Sequence, residues 1–248
     1  MRYGMFDQIE ITGPLHELYR DRLAVVRLAE DAGFERYHKS EHHMIPLDAI
    51  PQMGLFFAAA AQHTTRLRFG SLVYLLPFHH PIRLAEEIAT LDHLLEGRFD
   101  VGVGRGISLP EHELWGLETD RAAENFHETL AVLRAALTTD VLTFHGTKYH
   151  FDELPIVLRP LQQPHPPLWY AGNIVPAAAA GMSCVVGGRR LPPRMIWSTP
   201  RICCMPKLGA PDERVTSALP APMNRTSAFV DPAMRFANVS SIADALSR

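Results

Sequence analysis

Short apolar runs alternate with longer amphipathic segments along the chain as far as residue 186. The short runs are rich in β-branched and aromatic residues, whereas in the longer segments the apolar positions recur at near-helical spacing. This alternation is typical of β-α units around a parallel sheet. The predicted strands are Arg2–Phe6, Phe34–Ser40, Leu67–Leu76, Phe99–Val103, Leu168–Ala171 and Ser183–Val186. The predicted helices are Leu15–Ala32, Gln52–His63, Ile82–Leu95, Arg121–Leu137 and Ala177–Ala180.

The pattern ends at Gly188. Prolines, arginines and isolated methionines are scattered over Arg189–Met223 without a period of 2 or 3.6, and only Ser241–Ser247 has a weak helical pattern. About six β-α units are recognisable, whereas a closed eight-stranded barrel has eight. We therefore predict an incomplete (β/α)8 TIM-barrel domain over residues 1–188. A divergent segment, 189–248, follows it, and this segment is either disordered or translated from a shifted reading frame. It is not expected to supply two further β-α units.

Composition narrows the possible functions. The formal net charge is -3 and the pI is about 6.5, so there is no basic surplus to attract nucleic acid. Apolar stretches such as Met53–Ala61 are far shorter than the roughly 20 residues that span a bilayer. The first residues lack a basic region followed by an apolar signal core. The sequence therefore predicts a cytoplasmic protein with neither a nucleic-acid nor a membrane partner.

Candidate chemistry lies where predicted strands end, because ligands of parallel α/β folds bind at the carboxyl ends of the strands. Glu41-His42-His43 follows the second strand, and His79-His80 follows the third. Gly104-Arg105-Gly106 follows the fourth strand, and Gly172-Asn173 follows the fifth. We expect these four points to converge in space.

A histidine of the pair His42-His43 can act as an acid or base, because imidazole titrates near neutral pH. The alternatives are two surface histidines at the rim, or a metal site with Glu41. Adjacent strand residues point to opposite faces, which disfavours shared ligation of one ion. No metal site is therefore predicted.

Glycine spacing in Gly102-Val103-Gly104-Arg105-Gly106 differs from the G-x-G-x-x-G of a dinucleotide-binding fold and does not follow the first strand. Glycines here would let the backbone approach a planar ring or a phosphate, with Arg105 as a permanent positive charge. A tight turn with a solvent-facing arginine is the alternative. Asn173 would lie at a helix N-terminus that binds an anion, or be a plain N-cap. The apolar Leu72–Leu76 would line a flavin face or simply pack in the core.

These motifs together resemble the bacterial-luciferase-like flavin monooxygenases, a family of (β/α) barrels. The resemblance extends to about residue 188 and rests on the following segments: Glu41–His43, Leu76–Glu86, Leu91-Asp92, Gly97–Phe99, Gly102–Gly106, Pro160–Gln162, Pro164–Pro167 and Ala171–Asn173. Family members continue through two further β-α units that complete the barrel and much of the substrate pocket. The chain departs from the family there, and also at Gly104, where luciferase has a reactive cysteine.

The resemblance implies a cofactor and a role for each candidate residue. The cofactor is reduced FMN supplied by a flavin reductase, or a deazaflavin in one branch of the family. His42 would transfer protons, Leu72-Val73 would be a cis peptide beside the flavin ring, and Tyr74 would belong to the ring environment. The flavin phosphate would be bound by Arg105-Gly106 and by Asn173. The second phosphate arginine of the family is either replaced here by Arg121, or its contact is lost.

The predicted function is therefore an FMN-dependent monooxygenase that uses O2 to oxygenate a small organic substrate. A homo- or heterodimer is expected from the resemblance. One alternative is a non-catalytic flavin-binding protein or an inactive truncated relative, because the barrel is unfinished. Another is a metal-dependent barrel hydrolase, which would rest on the histidine pairs alone.

Overall fold

Buried strands and amphipathic helices alternate in the computed structural model, which describes residues 3–45, 48–171, 181–187, 202–205 and 227–229. The strands are β1 Gly4–Asp7, β2 Arg36–Lys39, β3 Arg68–Ser71, β4 Tyr74–Leu75, β5 Phe99–Gly104, β6 Val141–His145, β7 His150–Pro155, β8 Leu168–Ala171, β9 Ser183–Gly187, β10 Ile202–Met205 and β11 Ser227–Phe229. The helices are α1 Leu15–Asp31, α2 Met53–Ala61, α3 Pro81–Leu94, α4 Leu109–Leu114 and α5 Ala122–Thr138.

The main sheet has the strand order β10-β9-β8-β5-β3-β2-β1-β11. Its neighbours pair in parallel from β1 through β10, and only β11 runs antiparallel, beside β1. Sequential strands are thus spatial neighbours, and helices connect them from β1 to β8, which is the arrangement of a TIM-type barrel. The α/β class and the six predicted strands are confirmed. The parallel strands of the described residues are β1–β5 and β8–β10. They fill seven positions, one fewer than in a complete barrel, because β3 and β4 are two parts of the predicted third strand.

Three elements differ from the sequence prediction. The long third strand is interrupted, because its register against β5 shifts by one residue between Gly70 and Tyr74, and β4 continues as a separate pairing. One extra residue on one strand is the signature of a β-bulge. The antiparallel hairpin β6–β7 lies between the fourth predicted helix and the fifth predicted strand, where no strand was predicted. The short helix α4 was not predicted at all.

The tail also departs from expectation in two places. The strands β10 and β11 lie at the two outer positions of the main sheet, although their sequences carry no clear period of 2. Four and three residues are too few for alternation to be recognised. The predicted helices at Ala177–Ala180 and Ser241–Ser247 lie outside the described residues, and so does most of 189–248.

An aromatic cluster fixes helix α2 on the outer face of the sheet. The rings of Tyr37, Phe69, Phe57 and Phe99 are all buried, and neighbouring rings lie 5.6–5.9 Å apart. Centroid distances in this range are those of favourable edge-to-face and offset pairs. Three successive strands are thereby held against one helix.

A buried ion cluster joins the same three strands. Asp100 has no exposed surface, and its carboxylate accepts hydrogen bonds from Arg36 Nε at 2.9 Å and Arg68 Nη2 at 2.5 Å. Arg68 also donates to the carbonyl oxygens of Gly97 and Phe99. One carboxylate therefore balances two guanidinium groups in a region with little water.

Candidate active site

A cavity of about 480 Å³ opens at the carboxyl ends of β2, β4, β5 and β8. Its volume lies within the range of ligand pockets, roughly 300–1,000 Å³. The residues that line it come from the strand ends and from α4 and α5. They are Ser40, Glu41, His42, Leu72, Val73, Leu75, Gly104, Arg105, Gly106, Ile107, Glu111, Ala123, Phe126, His127, Tyr170 and Ala171.

The family resemblance assigns a role to eight residues. Five of them line this cavity: His42, Leu72, Val73, Arg105 and Gly106. The peptide bond between Leu72 and Val73 is cis, as the family resemblance implies. The motifs at three strand ends, separated by more than 60 residues of sequence, are thus brought to one place.

The other three candidates lie elsewhere. Tyr74 is buried and does not line the cavity. Its hydroxyl instead donates a hydrogen bond to Glu87 Oε1 at 2.8 Å. Arg121 is exposed, lies 3.7 Å from Glu124, and lines a separate cavity against the turn of the β6–β7 hairpin. Asn173 lies outside the described residues, so its predicted contact with a phosphate stays a prediction.

Glycines along β5 allow the backbone to approach the neighbouring segment closely. A Cβ added to Gly102 would lie 2.2 Å from the carbonyl oxygen of Ser71, and one added to Gly104 would lie 2.5 Å from Val73 Cγ2. Gly106 has φ +79°, a conformation that other residues rarely adopt. Ser71 and Val73 therefore pack directly against the backbone of β5.

The carboxylate of Glu41 organises the histidines around the cavity. It lies 2.6 Å from His43 Nε2 and 2.8 Å from His79 Nε2, and it accepts the backbone N–H of Leu75 at 2.8 Å. Burial alone would raise the pKa of Glu41, but these hydrogen bonds lower the pKa to about 2. Burial opposes ionisation of His79, yet Glu41 raises the pKa of His79 above its ordinary value. The ionised Glu41 thus ties the end of β2 to β4.

A second buried carboxylate, Glu111, contacts the histidine pair from α4 and was missed by the sequence analysis. It is only 2% exposed. Its Oε1 accepts the backbone N–H of His43 at 2.7 Å, and its Oε2 lies 3.4 Å from His42 Nδ1. Pro110, at the beginning of α4, was the available signal for a helix, since proline favours the first helical turn.

Arg105 supplies positive charge to the cavity. The side chain is exposed and makes no ion pair with any residue in the described part of the chain. The opposite wall, formed by Leu72, Val73 and Leu75, is apolar. The cavity thus combines an apolar wall with one cation, an arrangement that suits a ligand with a flat ring and an anionic group.

Two features of the described residues concern a metal site and a membrane span. No group of three or more histidine, cysteine, aspartate or glutamate side chains there is placed to hold a metal ion. The histidine pairs consequently give the metal-hydrolase interpretation no support in this part of the chain. None of the helices there is both long and apolar enough to cross a bilayer.

The chain is similar in sequence to several known proteins. The protein y4wF of Sinorhizobium fredii is 39% identical over 175 residues, which are 70% of this chain and 51% of that protein. The oxygenase component of the flavin-dependent trigonelline monooxygenase of Acinetobacter baylyi is 29% identical over 178 residues, covering 70% and 49%. The chain therefore spans about half the length of these curated relatives.

The fold has matching solved structures. The crystal structure of the monooxygenase RslO1 from Streptomyces bottropensis aligns with a TM-score of 0.72 and 26% sequence identity, over 79% of this chain and 62% of that one. Residues 1–182 also match the family of luciferase-like monooxygenases. This match covers most of the barrel domain and every described strand end that forms the cavity. The chain therefore belongs to the luciferase-like monooxygenase family.

Proposed function

We propose that the chain is the oxygenase part of an FMN-dependent monooxygenase, which uses reduced FMN and O2 to oxygenate a small organic substrate. One observation carries the proposal. The cavity brings together an apolar wall, a histidine and an arginine that has no ion pair among the described residues, at the strand ends of a luciferase-like barrel. Reduced flavin, when bound, supplies the electrons that activate O2.

The residues present fit such a group. Val73 packs directly against Gly104, because a Cβ there would lie 2.5 Å from Val73 Cγ2, so the apolar wall continues onto this part of β5. Leu72, Val73 and Leu75 would cover the ring and exclude water. Arg105 would bind the phosphate with its guanidinium fork.

His42 would hold and transfer the proton that the oxygenation requires. It lines the cavity, and its side chain is 26% exposed, so the ring is accessible to a bound ligand while supported by the protein. Imidazole is the side chain whose ordinary pKa suits proton transfer near neutral pH. The substrate would lie between His42 and the flavin.

Further parts of the proposal concern partners and the rest of the protein. A separate flavin reductase would supply the reduced cofactor, as the name of the trigonelline relative, an oxygenase component, suggests. A dimer and a cytoplasmic location stay predictions. We also propose that 189–248 is divergent in sequence from the barrel domain 1–188, since the family match ends at residue 182, although its strands β10 and β11 pair with the main sheet.

A second candidate, a flavin-binding protein without oxygenase activity, is favoured by one observation. The matched residues cover only about half the length of y4wF and of the trigonelline monooxygenase component, so the remainder of those proteins has no counterpart in the match. A deazaflavin in place of FMN is the corresponding alternative for the cofactor. Both alternatives keep the cavity as the flavin site.

Titration of the purified protein with FMN tests the site. Arg105→Ala is expected to weaken binding about 10- to 100-fold, because a hydrogen bond to a charged group contributes roughly 1.5–3 kcal/mol. Flavin fluorescence measures the dissociation constant. Arg121→Ala is the matched control, since Arg121 lines a different cavity, and it is expected to change binding by less than about twofold. Equal loss in the two variants, or no saturable binding by a monodisperse wild type, would contradict the proposal.

A further inference from the structure

Glu111 approaches the histidine pair from a different element than the motif itself. It lies on α4, which begins five residues after the end of β5, whereas His42 and His43 follow β2. The carboxylate is almost completely buried, with 2% of its surface exposed, yet it lines the same cavity as His42. A carboxylate is rarely buried to this extent without partners that use both its oxygens.

The carboxylate of Glu111 contacts both histidines. Oε1 accepts the backbone N–H of His43 at 2.7 Å, a short and well-formed hydrogen bond that fixes the carboxylate. Both oxygens lie 3.4 Å from Nδ1 of His42, a longer contact, and Oε2 is the oxygen left free by the bond to His43. Hydrogen bonds of catalytic groups are often long before a ligand binds and shorten in the complex. Since an ionised carboxylate only accepts, a hydrogen bond here requires that Nδ1 carries the proton.

We propose that Glu111 is the positioning residue of His42, holding its ring in the Nδ1–H tautomer so that Nε2 keeps the free electron pair. Nε2 can then take a proton from a species in the cavity, while the positive charge that forms on the ring is stabilised by Glu111. This inference rests on the proposed function for its catalytic meaning, but the tautomer is a property of the protein without flavin.

Glu111→Gln gives a sharp test because its amide has one acceptor and one donor end. The amide oxygen is expected to keep the short bond to the N–H of His43, which turns the NH2 group toward His42 Nδ1. A donor facing Nδ1 requires an electron pair there, so His42 should change from the Nδ1–H to the Nε2–H tautomer. Glu113→Gln, on the exposed face of the same helix, is the control and should leave the tautomer unchanged.

The tautomer is measured on protein labelled with ¹⁵N-histidine, without flavin, by long-range ¹H–¹⁵N correlation at a pH where the rings are neutral. The His42 signals are assigned by their loss in His42→Gln. The expected result is Nδ1–H in the wild type and in Glu113→Gln, and Nε2–H in Glu111→Gln. A wild-type ring with the proton on Nε2 overturns the inference even if Glu111→Gln fails to fold. An unchanged tautomer in folded Glu111→Gln also overturns it.

FMN titration of the same variants separates this inference from the proposed function. Glu111→Gln is expected to bind FMN within about threefold of the wild type, because the phosphate contact of Arg105 is untouched. Failure of the wild type to bind FMN would end the proposed function without changing the tautomer result. Binding lost in Glu111→Gln with the tautomer retained would assign Glu111 to cofactor binding and overturn its role as the positioning residue of His42.

Discussion

Asp100→Asn is expected to lower the free energy of unfolding by about 3–5 kcal/mol, the usual cost of removing one partner from a buried ion cluster. Asp100 has no exposed surface and is the carboxylate that holds both Arg36 and Arg68. Asparagine keeps the shape but removes the buried negative charge between the two guanidinium groups, while Glu35 remains 4.0 Å from Arg36. Urea denaturation followed by circular dichroism measures the loss.

His38 cannot take over the role of Asp100. It is buried beside this cluster, and burial lowers its pKa to about 4 although Asp100 favours the charged form. The ring is therefore neutral near pH 7 and provides no charge. Asp21→Asn is the matched control, because Asp21 pairs with Arg20 at the surface at 3.7 Å with both side chains about 70% exposed. Its expected cost is below about 1 kcal/mol. A cost of Asp100→Asn no larger than that of the control would contradict the importance of the cluster.

Gly102→Ala is expected to destabilise the protein by about 3 kcal/mol or more, at or above the upper end of typical overpacking costs. The added methyl group would lie 2.2 Å from the carbonyl oxygen of Ser71, and no side-chain rearrangement can relieve a clash with backbone. Ser71 also bonds to Gly102 through its own hydroxyl, which accepts from the amide and donates to the carbonyl, both at 2.9 Å. Thermal and urea unfolding measure the effect.

Gly104→Ala provides the comparison, because there the obstacle is a side chain. Its methyl group would lie 2.5 Å from Val73 Cγ2 but 3.5 Å from Val73 Cβ. Combining Gly104→Ala with Val73→Ala should therefore recover most of the lost stability, whereas Val73→Ala should not rescue Gly102→Ala. Equal rescue of both glycine variants would contradict the explanation that Gly102 is required by the Ser71 backbone and Gly104 by the Val73 side chain.

The hydrophobic pattern was sufficient for most of the barrel. In runs such as Phe99–Val103 the apolar residues Phe99, Val101 and Val103 recur with the period of a strand. The expectation that the motifs follow strand ends then brought His42 and Arg105 to one cavity without any knowledge of the contacts.

The remainder depended on tertiary contacts that leave no local pattern. Glu111 belongs to a short polar stretch, and its burial follows from where α4 lies over β2, which its sequence does not encode. Arginine is a common phosphate ligand, but Arg121 lies at the N-terminal end of α5, beside the turn of the β6–β7 hairpin and away from the main cavity. The break after Ser71 was hidden because Leu72 and Val73 continue the apolar run without interruption.

Hydrogen exchange measured by mass spectrometry, with and without FMN, is the most direct test of whether this cavity binds a flavin. We expect FMN to slow exchange at Leu72–Leu75 and Gly104–Ile107, which line the cavity, because bound ligand stabilises the segments it contacts. The hairpin turn at 146–149, beside Arg121, should exchange at an unchanged rate. Protection confined to that hairpin, or no protection anywhere at saturating FMN, would contradict a flavin site at the carboxyl ends of these strands.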